Sequence, residues 1–216
     1  PTDKPEVLVD CGSICACIEH ATGRSPDVVT GKPDSRMLDM LLHALKAGKL
    51  CLIDMSSLRG SGGLILSEAR NRNWRVAQLW YTHAHFDHIG GAAQIADESD
   101  PPPLVALHPE DHALWRAGGG ASLFGFHINS GPEPGVDLAH GQILRLGNFE
   151  FEVRHTPGHT PGHCIFYYAE AGTCFSGDLI FAGSVGRTDL PGGDWDTLEK
   201  SIREQVYTLP DETRLL

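Results

Sequence analysis

The sequence predicts an α/β fold, and three observations carry the prediction. Apolar runs of strand length alternate with helix-period segments over residues 50–117. From Gly141 onward the pattern changes to successive strands. Clusters of histidine and aspartate fall directly after strands, where loops carry function. With 216 residues and 41% apolar composition the chain can bury one large core. The candidate ligands come from both halves, so we expect a single domain over residues 1–216, with residues 1–49 its atypical part.

Taken in order, residues 6–19 are rich in Cys, Val and Ile and predict a two-stranded hairpin around Gly12-Ser13. Turns follow at residues 21–26 and 31–34. Asp34 or Ser35 can cap a helix whose apolar positions Met37, Leu38, Leu41, Leu42 and Leu45 keep helical spacing. Residues 50–54 read as a short buried strand, and Ser61-Gly62-Gly63 opens a second helix running to about Asn71. Residues 76–81 form the next strand, residues 90–98 a helix stopped by Pro101-Pro102-Pro103, and residues 104–107 another strand. Pro109 suits the first turn of a helix reaching Ala117. Residues 118–137, opened by three glycines, suit an irregular, mobile loop near a site. Strands are expected at 143–146, 149–155, 164–168 and 173–176, then an amphipathic helix from Asp194 to about Thr208 that Pro210 ends.

The stretch Thr82-His83-Ala84-His85-Phe86-Asp87-His88 places three imidazoles and a carboxylate within six residues, just past a strand. On an extended backbone His83 and His85 share a face, because the side-chain period is two. Asp87 and His88 then turn the other way at the mouth of the following helix. One loop can therefore offer ligands to two adjacent metal ions, with imidazole suiting zinc, iron, manganese or nickel and the carboxylate adding a harder oxygen. Thr156-Pro157-Gly158-His159-Thr160-Pro161-Gly162-His163 packs two Pro-Gly turns around two histidines. Phe175-Ser176-Gly177-Asp178 delivers a carboxylate at the end of a strand. His163 and Thr82 are candidates to orient the ligand imidazoles.

These motifs, in this order over roughly residues 50–216, resemble the metallo-β-lactamase superfamily. The resemblance implies a four-layer αββα sandwich with metals at one edge of its two sheets. It implies that His83, His85 and His159 hold a first metal, that Asp87 and His88 hold a second, and that Asp178 bridges them. The stretch Gly186-Arg187-Thr188-Asp189-Leu190-Pro191-Gly192-Gly193-Asp194 further resembles the short glyoxalase II-like (hydroxyacylglutathione hydrolase-like) enzymes of bacteria. This implies hydrolysis of an S-acylglutathione thioester by metal-activated hydroxide, with His83, His85 and Asp87 as catalytic residues. The two divalent ions would be zinc, or iron or manganese. Arg187, with Gly186 and Thr188, would sit at the substrate, a guanidinium suiting a glycine carboxylate.

Departures from the family pattern keep other readings open. The family takes a final second-metal histidine from a loop past its last strand, and this sequence ends at Leu215-Leu216, where that strand should begin. The C-terminal edge therefore reads as truncated and the second site as weak. Residues 53–56 read Ile-Asp-Met-Ser where the family has Ile-Asp-Pro-Gly. The rivals are a mononuclear-iron glutathione persulfide dioxygenase, a lactone or β-lactam hydrolase, and a non-catalytic metal-binding scaffold. A formal net charge of −11 argues against nucleic acid or an anionic membrane as partner, and leaves a small-molecule substrate. No stretch approaches the ~20 apolar residues that span a bilayer. The six cysteines read as small buried residues of a cytoplasmic protein, the spacing Cys11, Cys15, Cys17 notwithstanding.

Overall fold

The computed structural model describes residues 49–53, 61–71, 73–147 and 149–216. The hairpin expected over residues 6–19, the helix over 35–46, the Cys11, Cys15 and Cys17 cluster and residues 54–56 lie outside the described residues.

Short runs of Val, Leu, Ile and aromatic residues build two sheets. The first is wholly parallel, in the order β1 (Lys49–Ile53), β2 (Arg75–Trp80), β3 (Leu104–Leu107) and β4 (Val136–Asp137). Parallel strands need crossovers, and helices supply two of them. Helix α1 (Ser61–Asn71) links β1 to β2. The short helices α2 (Phe86–Ile89) and α3 (Ala92–Asp97) link β2 to β3. Between β3 and β4 lie a 3-10 turn over Pro109–Asp111, helix α4 (His112–Arg116) and further 3-10 turns over Gly118–Phe124.

The second sheet is an antiparallel meander of β5 (Ile143–Leu146), β6 (Phe149–His155), β7 (Cys164–Tyr168) and β8 (Thr173–Phe175). A small hairpin, β9 (Ile180–Phe181) with β10 (Ser184–Val185), precedes helix α5 (Trp195–Ser201). The chain then returns to the sheet as β11 (Arg214–Leu215), parallel to β8, with Ser176 N–H donating to Leu216 O at 2.8 Å.

Burial explains the layering. Trp80 of the first sheet meets Phe151 and Phe166 of the second at ring-centroid distances of 5.3 and 5.9 Å. Burying aromatic rings between sheets contributes roughly 1.5–3 kcal/mol each. Strand β7 reads Cys-Ile-Phe-Tyr-Tyr because both its faces are covered. Cys164 and Phe166 point into the inter-sheet core, whereas Ile165 and Tyr167 pack with Leu198, Ile202 and Val206 of the C-terminal helical segment. With α1 packed on β2 at the other side, the order is helix, sheet, sheet, helix. This is the αββα arrangement that the resemblance implies.

The structure departs from the sequence expectations in three places. The helix expected over residues 90–98 is split, with a first turn already at Phe86–Ile89 and a second helix over Ala92–Asp97, separated by Gly90-Gly91. The stretch expected to be irregular contains 3-10 turns over Gly118–Phe124 and the edge strand β4. The final helix passes into π geometry over Ile202–Val206, where a wider turn keeps Ile202 and Val206 on the buried side. Cys164 and Cys174 are buried thiols, their pKa pushed up by burial, to about 12 for Cys174.

Candidate metal centre

Three chain segments meet where the two sheets share an edge. Strand β2 exits into Tyr81-Thr82-His83, and the carbonyl of Thr82 accepts the N–H of Cys164 at 2.7 Å. That bond ties the first sheet's exit to the start of β7. The loop between β6 and β7 is closed by Thr156 N–H on His163 O at 2.7 Å, and Pro157 O accepts the hydroxyl of Ser201 from α5. Strand β8 ends in Ser176-Gly177-Asp178. Gly177 has φ +51°, and a Cβ there would press on the Thr82 side chain and, at 2.9 Å, on His163 Nε2. Only glycine lets this third segment close on the other two.

The side chains so delivered converge. His83, His85 and His159 each place a ring nitrogen within 4.8 Å of the others, and His83, His88 and Asp178 form a second such group. His159 Nε2 lies 2.9 Å from His85 Nδ1 and 3.2 Å from His83 Nε2. Asp178 turns Oδ1 to His88 Nε2 at 3.1 Å and Oδ2 to His159 Nε2 at 3.7 Å, so one carboxylate faces both groups. Asp87 Oδ2 lies 3.7 Å from His88 Nε2, on a side chain 47% exposed that borders solvent. All six residues assigned to metal by the resemblance are thus at one place.

Tautomers decide what this cluster can hold. His159 Nδ1 lies 2.7 Å from the Arg187 carbonyl, which can only accept, so Nδ1 carries the proton and Nε2 presents a lone pair. Thr82 Oγ1 sits 3.0 Å from His83 Nδ1; where the hydroxyl accepts that proton, His83 Nε2 is left as a lone pair as well. In that tautomer two lone pairs lie 3.2 Å apart and repel unless a cation is between them. Burial first, then neighbouring imidazoles, hold His83 well below its ordinary pKa. Burial, reinforced by His159, pushes His85 down to about 3, and burial also lowers His159 against the pull of Asp178. The imidazoles therefore stay neutral, the form that binds metal. Nitrogen donors grouped on one side and a carboxylate reaching both groups fit two divalent ions.

The substrate residues implied by resemblance sit beside this centre. Gly186 is buried against the Asp178 carbonyl, and the Arg187 main chain holds His159. The Arg187 guanidinium makes two 2.7 Å hydrogen bonds to Asp189 at the surface. Asp189 is correspondingly held down at about 2 by Arg187. Thr188 is partly buried, and its carbonyl backs onto Gly193. A small recess of about 40 Å³ is lined by His85 together with Leu114, Leu123, Phe124, Leu190 and Pro191. Gly119 (φ +63°) fixes the wall, since a Cβ there would strike the backbone of Phe86 and the carbonyl of Ala84.

Asp111 is the residue that sequence reasoning missed. Fully buried, it takes hydrogen bonds from Ala84 N–H, Thr160 O–H and Gly162 N–H at 3.0, 2.8 and 2.7 Å. In Pro109-Glu110-Asp111 it reads as an acidic residue of a helix's first turn, an ordinary place for aspartate. Its signal was only that acidity next to Pro109.

The metallo-beta-lactamase superfamily model matches residues 46–216. Hydroxyacylglutathione hydrolase GloC of Haemophilus influenzae is 36% identical over 162 residues, covering 71% of this chain and 73% of that protein. The structure of the BLEG-1 B3 metallo-β-lactamase superposes with a TM-score of 0.71 at 31% identity, covering 79% of this chain and 80% of that one. That of TTHA1623 in a di-iron-bound form superposes with a TM-score of 0.66 at 38% identity, covering 76% and 78%.

Proposed function

The chain belongs to the metallo-β-lactamase superfamily of metal-binding hydrolases, and from that premise we propose that it hydrolyses thioesters in the manner of glyoxalase II. The single observation that carries this is the paired cluster of imidazoles and carboxylates with an apolar recess beside its His85. Likeness to a hydroxyacylglutathione hydrolase gives the reading its substrate class. On this reading His83, His85 and His159 would hold one divalent ion and Asp87 and His88 a second, with the Asp178 carboxylate, which faces both groups, available to each. When bound, the ions supply an activated water and polarise the acyl carbonyl.

The protein's own groups do the rest. Thr82 and the Arg187 carbonyl keep the ring nitrogens of His83 and His159 turned inward. Asp87, at the solvent edge, accepts a hydrogen bond from the attacking water and sets its direction. The thiol of the leaving group has a pKa near 8.5, so it departs as thiolate without a dedicated acid. The acyl group packs against the recess beside His85, whose walls are apolar. An anionic group of the thiol half reaches Arg187 by displacing Asp189 from the guanidinium.

Zinc is the expected metal, and the di-iron form of TTHA1623 makes iron the specific rival. A cytoplasmic setting, with buried Cys164 and Cys174 kept as thiols, belongs to the same reading. The test loads the full chain with zinc or with iron and follows thiol release from S-lactoylglutathione and other acyl thioesters, with dissolved oxygen recorded in parallel. The expected result is thiol release without oxygen uptake. Two bound ions with no cleavage of any thioester would overturn the reading. Oxygen consumed with glutathione persulfide would replace it with the dioxygenase.

A further inference from the structure

The two loops that carry the histidines of the first metal group are not bonded to each other alone. Between them stands a third element, the junction of the Pro109–Asp111 turn and α4, and the residue at that junction is Asp111. An aspartate at the start of a helix ordinarily turns its carboxylate back to cap the helix's own N–H groups. Asp111 makes no such cap. Its side chain points away from α4 into the gap between the two loops, where it has no exposed surface.

Both oxygens are used, and they are used across the gap. Oδ2 receives Ala84 N–H, the peptide between His83 and His85, together with the Thr160 hydroxyl next to His159. Oδ1 receives Gly162 N–H, on the far side of the same histidine loop. A Cβ on Gly162 would come within 2.7–2.8 Å of Asp111 atoms, so the loop is drawn in as closely as a glycine allows. All three partners donate, the pattern an ionised carboxylate requires. Burial raises the Asp111 carboxyl, and the bonds from Thr160, Gly162 and Ala84 oppose that rise.

We propose that Asp111 is a positioning residue for the first metal group: it clasps the His83-Ala84-His85 segment to the Thr160–Gly162 segment, and so sets the convergence of His83, His85 and His159. It touches neither metal nor substrate, acting through the peptide and hydroxyl groups that it binds. An asparagine is the same size but has one acceptor oxygen. Whichever way its amide is turned, an N–H₂ faces Ala84 N–H or Gly162 N–H, donor against donor. Groups that support metal ligands in this way typically change metal affinity by about 10–100-fold when replaced.

The test measures zinc affinity of the full chain by chelator competition, resolving the first equivalent from the second, with the visible spectrum of the cobalt-loaded protein and unfolding of the metal-free protein in parallel. Asp111→Asn is expected to weaken the first equivalent by about 10–100-fold and to shift the cobalt bands. Thr160→Val, which removes one of the three donors, should give a smaller loss in the same direction, and Thr160→Ser should restore the parent value. Ser130→Ala serves as a control, because it deletes a buried hydrogen bond to Trp115 O away from the metal groups. Should Asp111→Asn fail to fold, the Thr160→Val and Thr160→Ser pair decides. First-equivalent affinity unchanged in Thr160→Val would overturn the proposal. A loss equal to that of Ser130→Ala at matched stability would do the same. Because the readout is affinity, this outcome is independent of whether thioesters prove to be the substrate.

Discussion

Two histidine clusters of this protein contain similar groups and differ in what they can hold. The buried one gathers His83, His85, His88 and His159 with two aspartates, and the surface one gathers His108, His155 and Glu110 within 4.8 Å. Composition does not separate them. In the buried cluster, protein groups engage the outward nitrogens of His83 and His159, leaving Nε2 of each turned toward the other. At the surface the chain itself uses the nitrogens. His108 Nδ1 accepts Glu110 N–H at 3.3 Å, which leaves the proton on Nε2. His155 Nε2 donates to Pro161 O at 2.8 Å. Their rings stack at 4.0 Å and 10°, so their in-plane lone pairs run side by side instead of converging. A metal site is therefore a matter of which nitrogen is already engaged, more than of how many histidines are near.

The largest effects should come from removing a convergent ligand. His85→Ala or Asp178→Ala is expected to abolish both tight metal retention and turnover, as read by elemental analysis of the purified chain and by thiol release. Full activity with metal bound in either variant would break the contrast at its root. Next comes the group that sets a tautomer. Thr82→Val should lower metal affinity by about 10–100-fold while leaving all ligands in place, measured by chelator competition.

A pH titration sharpens the contrast without mutation. In the metal-free protein His85 is held down at about 3 by burial and His159, whereas the unfolded chain protonates near 6.5. Unfolding thus takes up a proton below 6.5, and stability should fall with pH through the window from about 6.5 towards 3. The contribution lost by pH 5 is about 2 kcal/mol for one such histidine, read from denaturant unfolding at a series of pH values. His83 and His159 are lowered too and act in the same direction. Surface His108 is lowered by burial and by His155, yet half-open to water, so His108→Ala should leave most of that slope intact.

The smallest effect is a null. His155→Ala is expected to leave metal stoichiometry unchanged and stability within about 1 kcal/mol of the parent. A fall in bound metal would show that the surface cluster competes for ions after all.

Elements whose reasons are local were legible beforehand. Strand β6 was readable from the apolar and acidic alternation of Phe149-Glu150-Phe151-Glu152-Val153, and α5 from Asp194, which does cap it by accepting Thr197 N–H at 2.8 Å. Less legible were the 3-10 turns at Gly118–Phe124, because a run of glycines does not say which left-handed turns it will adopt. The hairpin β9–β10 has strands of two residues each, too short for any period to register.

At the site the same division holds. Which groups are available is written in local spacing: His83, His85, Asp87 and His88 after one strand, His159 between two Pro-Gly turns, and Asp178 at a strand end. Those are properties of neighbouring residues, set by backbone period and turn chemistry. It took the packed fold to let the Arg187 carbonyl accept the Nδ1 proton of His159, 28 residues away, and to let Asp111 bind Ala84 and Gly162 across 27 and 51 residues. That fold also decided that Arg187 turns its guanidinium to Asp189 at the surface. Hydrogen bonds between distant segments leave no periodic trace along a chain, because their geometry exists only once both sheets have packed.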